Sequence, residues 1–400
     1  MHTAKVLHNL LAQSVPSIHA ARLNSVIASV QALTQGARAT VTSLGRGLMG
    51  KAYDKHKIKR VDRLLSNAQL YQERHSIYCA LTRRLLLGLS RAIIAIDWSP
   101  LCADQSWQLL RVALPVGGRS LTLYEEVHPQ SKLGNRKIQH QFLHQLSVMI
   151  PPNCHPIIVA DSGFKTPFFR YIEDHLRWHW VGRIRGMDFI ALKNRPEHWF
   201  NTKLLYSKTT TTAKCLGFVD WVRNQPLSAF IVLVRQTRKQ RQSLTFKGNK
   251  RQSKSNNVHV RRAQEPWVLV ASLSLQKRTP KQIVRIYKTR MQIEEGFRDC
   301  KSVHYGLCLS QNRHMNQSRR SVLCLIAACT IFVLWCIGVA GQHTELAKQV
   351  RVNSSSKRAP YSVIFLARLL IAQAHFRLPD SAVNGALAQV KIYVTSALGE

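Results

Sequence analysis

The 400-residue sequence predicts a mixed α/β fold flanked by helical segments at both ends. Three observations carry that prediction. Two short apolar runs rich in β-branched residues, RAIIAIDW and HPIIVAD, each close on a carboxylate, Asp97 and Asp161, as buried strands of a covered sheet do. Two further runs, WQLLRVALPV and GRSLTLYEEV, meet at Gly117-Gly118, the signal of a hairpin. Residues 1–88, 280–301 and 360–400 instead repeat their apolar positions at helical spacing.

Composition bounds the function. Lys and Arg number 58 against 20 Asp and Glu, a formal net charge of +38. Excess on that scale implies a polyanionic partner, with nucleic acid favoured over a membrane surface. The nine Cys are odd in number and scattered, with no C-x-x-C pair, so free cytosolic thiols are expected rather than disulfides or a zinc site. No signal peptide follows Met1, and the expected location is the cytoplasm.

Taken in order, residues 1–88 read as a helical domain that contacts DNA. Leu7, Leu10 and Leu11 form one amphipathic run, and Ile18 to Ala37 another. A small-residue turn with Gly45, Gly47 and Gly50 then precedes Lys51, Lys55, Lys57, Lys59, Arg60 and Arg63. A solvated helix face would account for any one of these; the cluster suits a compact helix-turn-helix variant laying cations on phosphates.

Residues 89–185 form the first part of the core. Three antiparallel strands are followed by a helix over 138–150, the strand ending at Asp161, a helix over 165–176 and a fifth strand in WHWVGRIRG. A carboxylate at a strand end often only caps the next turn. Two of them, each directly after a buried run, mark the strand ends where ligands gather in α/β sheets. Residues 186–274 read as a β-rich insertion, with strands in LSAFIVLVR and PWVLVAS. They flank a stretch from Arg235 to Arg262 with ten Lys or Arg and no acid, whose core over 235–257 is expected to be a mobile loop.

Residues 275–345 return to the core. Thr279-Pro280 opens a helix through YKTRMQIEEGFRDCK. On it Tyr287, Arg290, Glu294 and Lys301, at offsets 0, 3, 7 and 14, share one stripe beside the apolar stripe of Ile283, Ile286, Ile293 and Phe297. Residues 321–342 are uncharged and long enough to span a bilayer, but a helix buried in a large core reads the same way, and that is the expectation here. Residues 346–400 complete a helical C-terminal region, its last helix opening at Pro379-Asp380-Ser381 with Asp380 as cap.

Asp97, Asp161 and Glu294 are candidate catalytic residues and metal ligands. Hard ions such as Mg2+ take oxygen ligands and keep positions open for water and phosphate. Two such ions about 3.5–4 Å apart clamp the attacking and leaving oxygens of an in-line displacement at phosphorus. Arg290 and Lys301 would neutralise phosphate oxygens, and Tyr287 would hydrogen-bond the DNA backbone.

The set Asp97, Asp161 and Glu294, with Tyr287-x2-Arg290-x3-Glu294-x6-Lys301, resembles the DDE transposases of bacterial cut-and-paste elements, and among them the insertion-sequence-4 family with its YREK signature. The resemblance extends through KRVDRLL, AIDW, DSGFK, RIRG, EPWVL and RMQIEEGFRDCK. Cys300, where the family has Leu, departs from the pattern. Glu295 neighbours Glu294, and the signature spacing selects Glu294.

The resemblance implies a ribonuclease-H-like mixed-sheet catalytic core interrupted by the β-rich insertion. It implies Mg2+, with Mn2+ as substitute, as cofactor. It also implies an N-terminal domain reading terminal inverted repeats in double-stranded DNA, and a homodimer that pairs two ends before cleavage, with no membrane partner. Hydrolytic nicking would free a 3′-hydroxyl, which forms a hairpin on the opposite strand before the reopened end joins target DNA. In related transposases a Trp of the insertion stands where Trp267 does, so Trp267, which strand packing alone would explain, is a candidate to stack on a base leaving the hairpin. A non-catalytic DNA-binding protein would account for the charge but not the carboxylates. A ribonuclease or resolvase would account for the carboxylates but not the insertion and the YREK ridge.

Overall fold

A computed structural model describes residues 2–186, 188–236, 265–304, 306–312, 314–342, 344–350, 361–373, 376 and 380–399. Residues 237–264, which include most of the basic stretch from Arg235 to Arg262 and of its expected loop over 235–257, lie outside them, as does Pro379. The chain divides into two compact units, residues 1–156 with 289–398, and residues 157–288.

The first unit begins with five helices: α1 (His2–Ser14), α2 (Ala20–Thr34), α3 (Val41–Gly47), α4 (Asp54–Leu65) and α5 (Ala68–Leu85). Their starts follow from capping chemistry. The Thr40 hydroxyl accepts from the Ser43 N–H at 3.3 Å to open α3, and the Asn67 amide oxygen accepts from the Leu70 N–H at 2.7 Å to open α5. Gly45 lets α3 and α4 touch, because a Cβ there would stand 2.5 Å from the Ile58 Cα.

Strands β1 (Ile93–Pro100), β2 (Trp107–Val116) and β3 (Arg119–Pro129) then form an antiparallel meander. Its second turn is the expected one: Gly117 and Gly118 adopt φ of +64° and +93°, the conformation that a two-residue hairpin of this twist demands. Helix α6 (Arg136–Met149) follows, capped by Asn135.

The second unit holds β4 (Ile157–Ala160), α7 (Thr166–Asp174), β5 (His179–Ile184), β6 (Phe189–Leu192), β7 (Arg195–Asn201), β8 (Lys214–Trp221), β9 (Leu227–Val234), β10 (Trp267–Ala271) and α8 (Pro280–Lys288). Its strands lie in the order β4-β5-β10-β9-β8-β6-β7. The β4–β5 pair is parallel and the others antiparallel, so this sheet is mixed. The segment read as an insertion therefore shares a sheet with β4 and β5, and β10 is hydrogen-bonded directly to β5. Strands β6, β7 and β8 carry no run as apolar as FIVLV, which is why periodicity passed over them.

The chain returns to the first unit as α9 (Met291–Lys301), α10 (Gln317–Gly341), α11 (Glu345–Gln349), α12 (Val363–Ile371) and α13 (Asp380–Leu398). Helix α10 is the apolar segment long enough to cross a membrane, and its most apolar window is wholly buried inside the unit, against α2, α5, β3, α12 and α13. The Thr330 hydroxyl, buried in mid-helix, donates to the Ile326 carbonyl at 2.8 Å and is thereby satisfied. All nine cysteines are free.

Two expectations need correction. The helix through YKTRMQIEEGFRDCK is not continuous: α8 ends at Lys288 and α9 starts at Met291. Between them the Gln292 and Ile293 N–H groups bond three residues back, to Thr289 and Arg290, a tighter turn that breaks the stripe after Tyr287. Asp97 is not at a strand end either, since β1 stays paired with β2 through Pro100↔Gln108. Ladder partners beyond Asp97 were invisible to local pattern.

Candidate active site

Strand β1 sets the first carboxylate. Ile93 to Ile96 are buried, which fixes the strand in the sheet, and alternation then presents Asp97 and Ser99 on one face. Across the meander Asp97 stands opposite Arg111, and Arg111 opposite Glu125, so the three form a charged row on that face. Helix α9 packs on the same three strands. Its close approach depends on Gly296, where a Cβ would lie 2.5 Å from Ser120 Oγ.

Arg290, at the start of α9, joins two of the predicted residues. Its Nη1 donates to Asp97 Oδ2 at 2.9 Å and its Nη2 to Glu294 Oε1 at 2.7 Å. The other Asp97 oxygen accepts from the Trp98 N–H at 2.8 Å. The Glu294 side chain remains 43% exposed, while Asp97 is 17% exposed. The neighbouring carboxylate, Glu295, turns instead to Arg298 at 2.8 Å.

At the far end of α9, the Lys301 ammonium donates to Ser99 Oγ and, at 3.0 Å, to the Pro100 carbonyl. Burial, with repulsion from Arg111 second, pushes the Lys301 pKa down to about 8. Beneath the helix, Arg111 and Glu125 pair at 2.6 Å with both side chains only 1% exposed. Glu125 also accepts from the Tyr78 hydroxyl at 2.9 Å. The Arg111 guanidinium reaches Cys300 Sγ at 3.5 Å and lies 4.9 Å from the Phe297 ring centre. Cys300 thus has a partner in this chain that a leucine there would lack.

The structure brings Asp97, Arg290 and Glu294 into one cluster of the first unit, with Lys301 against the same strand. Asp161 belongs to the second unit. It follows β4 directly, and its Oδ1 accepts from the Gly163 N–H at 2.7 Å. Tyr287 and Trp267 are also in the second unit, where the two rings meet edge-on with centroids 4.9 Å apart. Tyr287 is buried and Trp267 half-buried. Among the described residues, no group of three or more His, Cys, Asp or Glu that could hold a metal ion is drawn together. Of the basic cluster, Lys51, Lys55, Lys59, Arg60 and Arg63 are exposed and Lys57 is half-buried.

Sequence reading passed over Arg111 and Glu125. The signal was present: Arg111 and Glu125 are charges set inside apolar strands, LLRVALPV and LTLYEEV, in a chain with few acids.

The family model described as the transposase DDE domain matches residues 88–331, more than half of the chain. No curated protein matches.

Proposed function

Because the chain belongs to the family of transposase DDE domains, we propose that it is a cut-and-paste DNA transposase of the insertion-sequence-4 type, close to the transposase of insertion sequence 10. The observation that carries this reading is the Arg290 guanidinium held between Asp97 and Glu294, at 2.9 and 2.7 Å. A carboxylate pair converging on one cation is a donor set that suits a hard divalent ion. Asp97, Asp161 and Glu294 would hold Mg2+, with Mn2+ as substitute. Bound there, the metal would acidify the attacking water and neutralise the leaving 3′-oxygen.

The chain's own residues do the rest. Arg290 holds Asp97 and Glu294 in place and offers its guanidinium to a non-bridging phosphate oxygen. Lys301, tied to Ser99 and Pro100, supplies a second cation beside the same strand. Tyr287 braces Trp267, whose ring stacks on a base displaced as the hairpin forms, and the Tyr287 hydroxyl contacts the DNA backbone. The N-terminal helices, with Lys55, Lys57, Lys59, Arg60 and Arg63, bind the terminal inverted repeats in double-stranded DNA. Two copies pair two ends, and the freed 3′-hydroxyls join target DNA. The domain plan that goes with this is an end-binding region at 1–88, core at 89–185 and 275–345, insertion at 186–274 and helical region at 346–400. The protein acts in the bacterial cytoplasm on the nucleoid, with no membrane partner.

The test uses a plasmid carrying both ends of the element that encodes the chain. With Mg2+, the purified protein should nick, hairpin and join these ends. Asp97→Ala, Asp161→Ala and Glu294→Ala should each abolish all three steps while end binding survives, because metal ligands act as a unit. A robustly active variant would remove that residue from the site, and binding without any Mg2+-dependent cleavage would overturn the enzymatic reading.

A further inference from the structure

The turn between α3 and α4 exposes two large apolar side chains in a field of cations. Tyr53 is 77% and Met49 74% exposed, and every residue from Met49 to His56 faces solvent. Scattered apolar side chains on a surface need no explanation. These two are set apart by their support and surroundings. Leu48, immediately before them, is buried, and Gly50 adopts φ +113°, so the chain reverses sharply between an anchored residue and the start of α4. The Gly45–Ile58 contact locks α3 on α4, which holds the turn as a fixed projection.

Charge tells what the projection meets. From Arg46 to Arg63 there are seven Lys or Arg against two acids, Asp54 and Asp62. Asp62 already faces Arg319, and Asp54 lies 3.7 Å from Arg46. Net positive charge therefore surrounds these two exposed side chains. Cations on the flanks with Met and an aromatic ring at the apex are the chemistry of a wedge that enters a groove and parts a base step.

We infer that the Met49–Tyr53 turn is a wedge that inserts into a groove of double-stranded DNA and unstacks one base step, while the cations of α4 hold the flanking phosphates. The inference rests on the end-binding role proposed above and adds to it residues that read DNA deformability rather than charge. The Tyr53 ring supplies the stacking surface, and the Met49 thioether fills the opened step.

The experiment measures equilibrium binding of the full-length protein to two probes, a 40-base-pair duplex from the end of the encoding element and an unrelated duplex of equal composition. Each is scanned with 2-aminopurine at successive positions to report unstacking. Tyr53→Ala and Met49→Ala should fold normally, since both side chains are exposed. Each should weaken binding to the end duplex at least about fivefold at every salt concentration, leave the salt slope unchanged and abolish a 2-aminopurine signal localised to one step. Lys59→Ala should instead reduce the salt slope by about one. Tyr53→Phe should behave as wild type, because the ring and not the hydroxyl acts. If wild type does not prefer the end duplex, the end-binding role itself fails. If it does, but the Tyr53→Ala and Met49→Ala variants keep full affinity, or Tyr53→Phe is as weak as Tyr53→Ala, or no base unstacks, the wedge is overturned.

Discussion

Replacing Arg111 by Met, Glu125 by Leu, and both together, probes the support under α9. The pair is 2.6 Å apart with each side chain 1% exposed, so neither charge has water to fall back on. Arg111→Met leaves the Glu125 carboxylate with the Tyr78 hydroxyl alone, at 2.9 Å. Glu125→Leu leaves a guanidinium against the Cys300 thiol and the Phe297 ring. Stranding one member of a buried pair costs about 3–5 kcal/mol, so each single variant should lose that much. The double variant removes both charges and strands the Tyr78 hydroxyl, worth about 1–3 kcal/mol, together with the Cys300 thiol, a far weaker hydrogen-bonding group. The singles therefore predict a sum of about 6–10 kcal/mol where the double shows about 1–3, a coupling of roughly 5 kcal/mol. Urea unfolding followed by far-UV circular dichroism measures it, with limited proteolysis of the first unit as an independent readout. Single variants costing under about 1 kcal/mol, or a double variant equal to their sum, would refute the view that these charges exist for one another.

The remaining predictions draw on separate contacts. Burial pushes the Asp299 carboxyl up to about 6, because Arg119, 2.9 Å away, offsets only part of its desolvation. With the folded pKa above the unfolded value, the stability tied to the proton is complete below about pH 4 and lost as pH rises through 6. Asp299→Asn should accordingly be more stable than wild type at pH 8, by up to about 3 kcal/mol, and show no advantage at pH 4 in denaturation at both pH values; an equal difference at both would remove Asp299 as the cause. Gly338→Ala would place a Cβ 2.0 Å from the Val363 carbonyl oxygen, so α10 and α12 must separate, and the melting transition should fall by an amount equivalent to about 1–3 kcal/mol or more; an unchanged transition would show that this contact yields freely. Trp267→Ala should slow hairpin formation by about one to two powers of ten while first-strand nicking stays near normal, followed on end-labelled DNA; equal loss in both steps, or in neither, would reduce the ring to a packing partner of Tyr287.

What the sequence determined by itself is what local chemistry encodes. Apolar runs of β-branched residues located β1, β4, β9 and β10 because a buried strand must present them on both faces. Gly117-Gly118 located a hairpin because only glycine takes two successive positive φ values without strain. The uncharged run at 321–342 was legible as a helix with no wet face, and its burial in the first unit follows from having nothing polar to expose. Motif spacing selected Glu294 over Glu295, and the structure gives the two carboxylates different partners, Arg290 and Arg298.

Tertiary structure alone decided the rest, because those features depend on residues far apart in the chain. The break at Thr289–Arg290 divides the YREK stripe between the two units, so Tyr287 packs on Trp267 while Arg290 reaches Asp97, 193 residues away. Asp97, Arg111 and Glu125 became a charged row only when β1, β2 and β3 paired in register. Cys300 acquired a guanidinium neighbour that no local pattern encodes. Period and propensity report which face of an element is apolar; the partner a charge finds is fixed by pairing register and helix docking, which are long-range and belong to the folded chain.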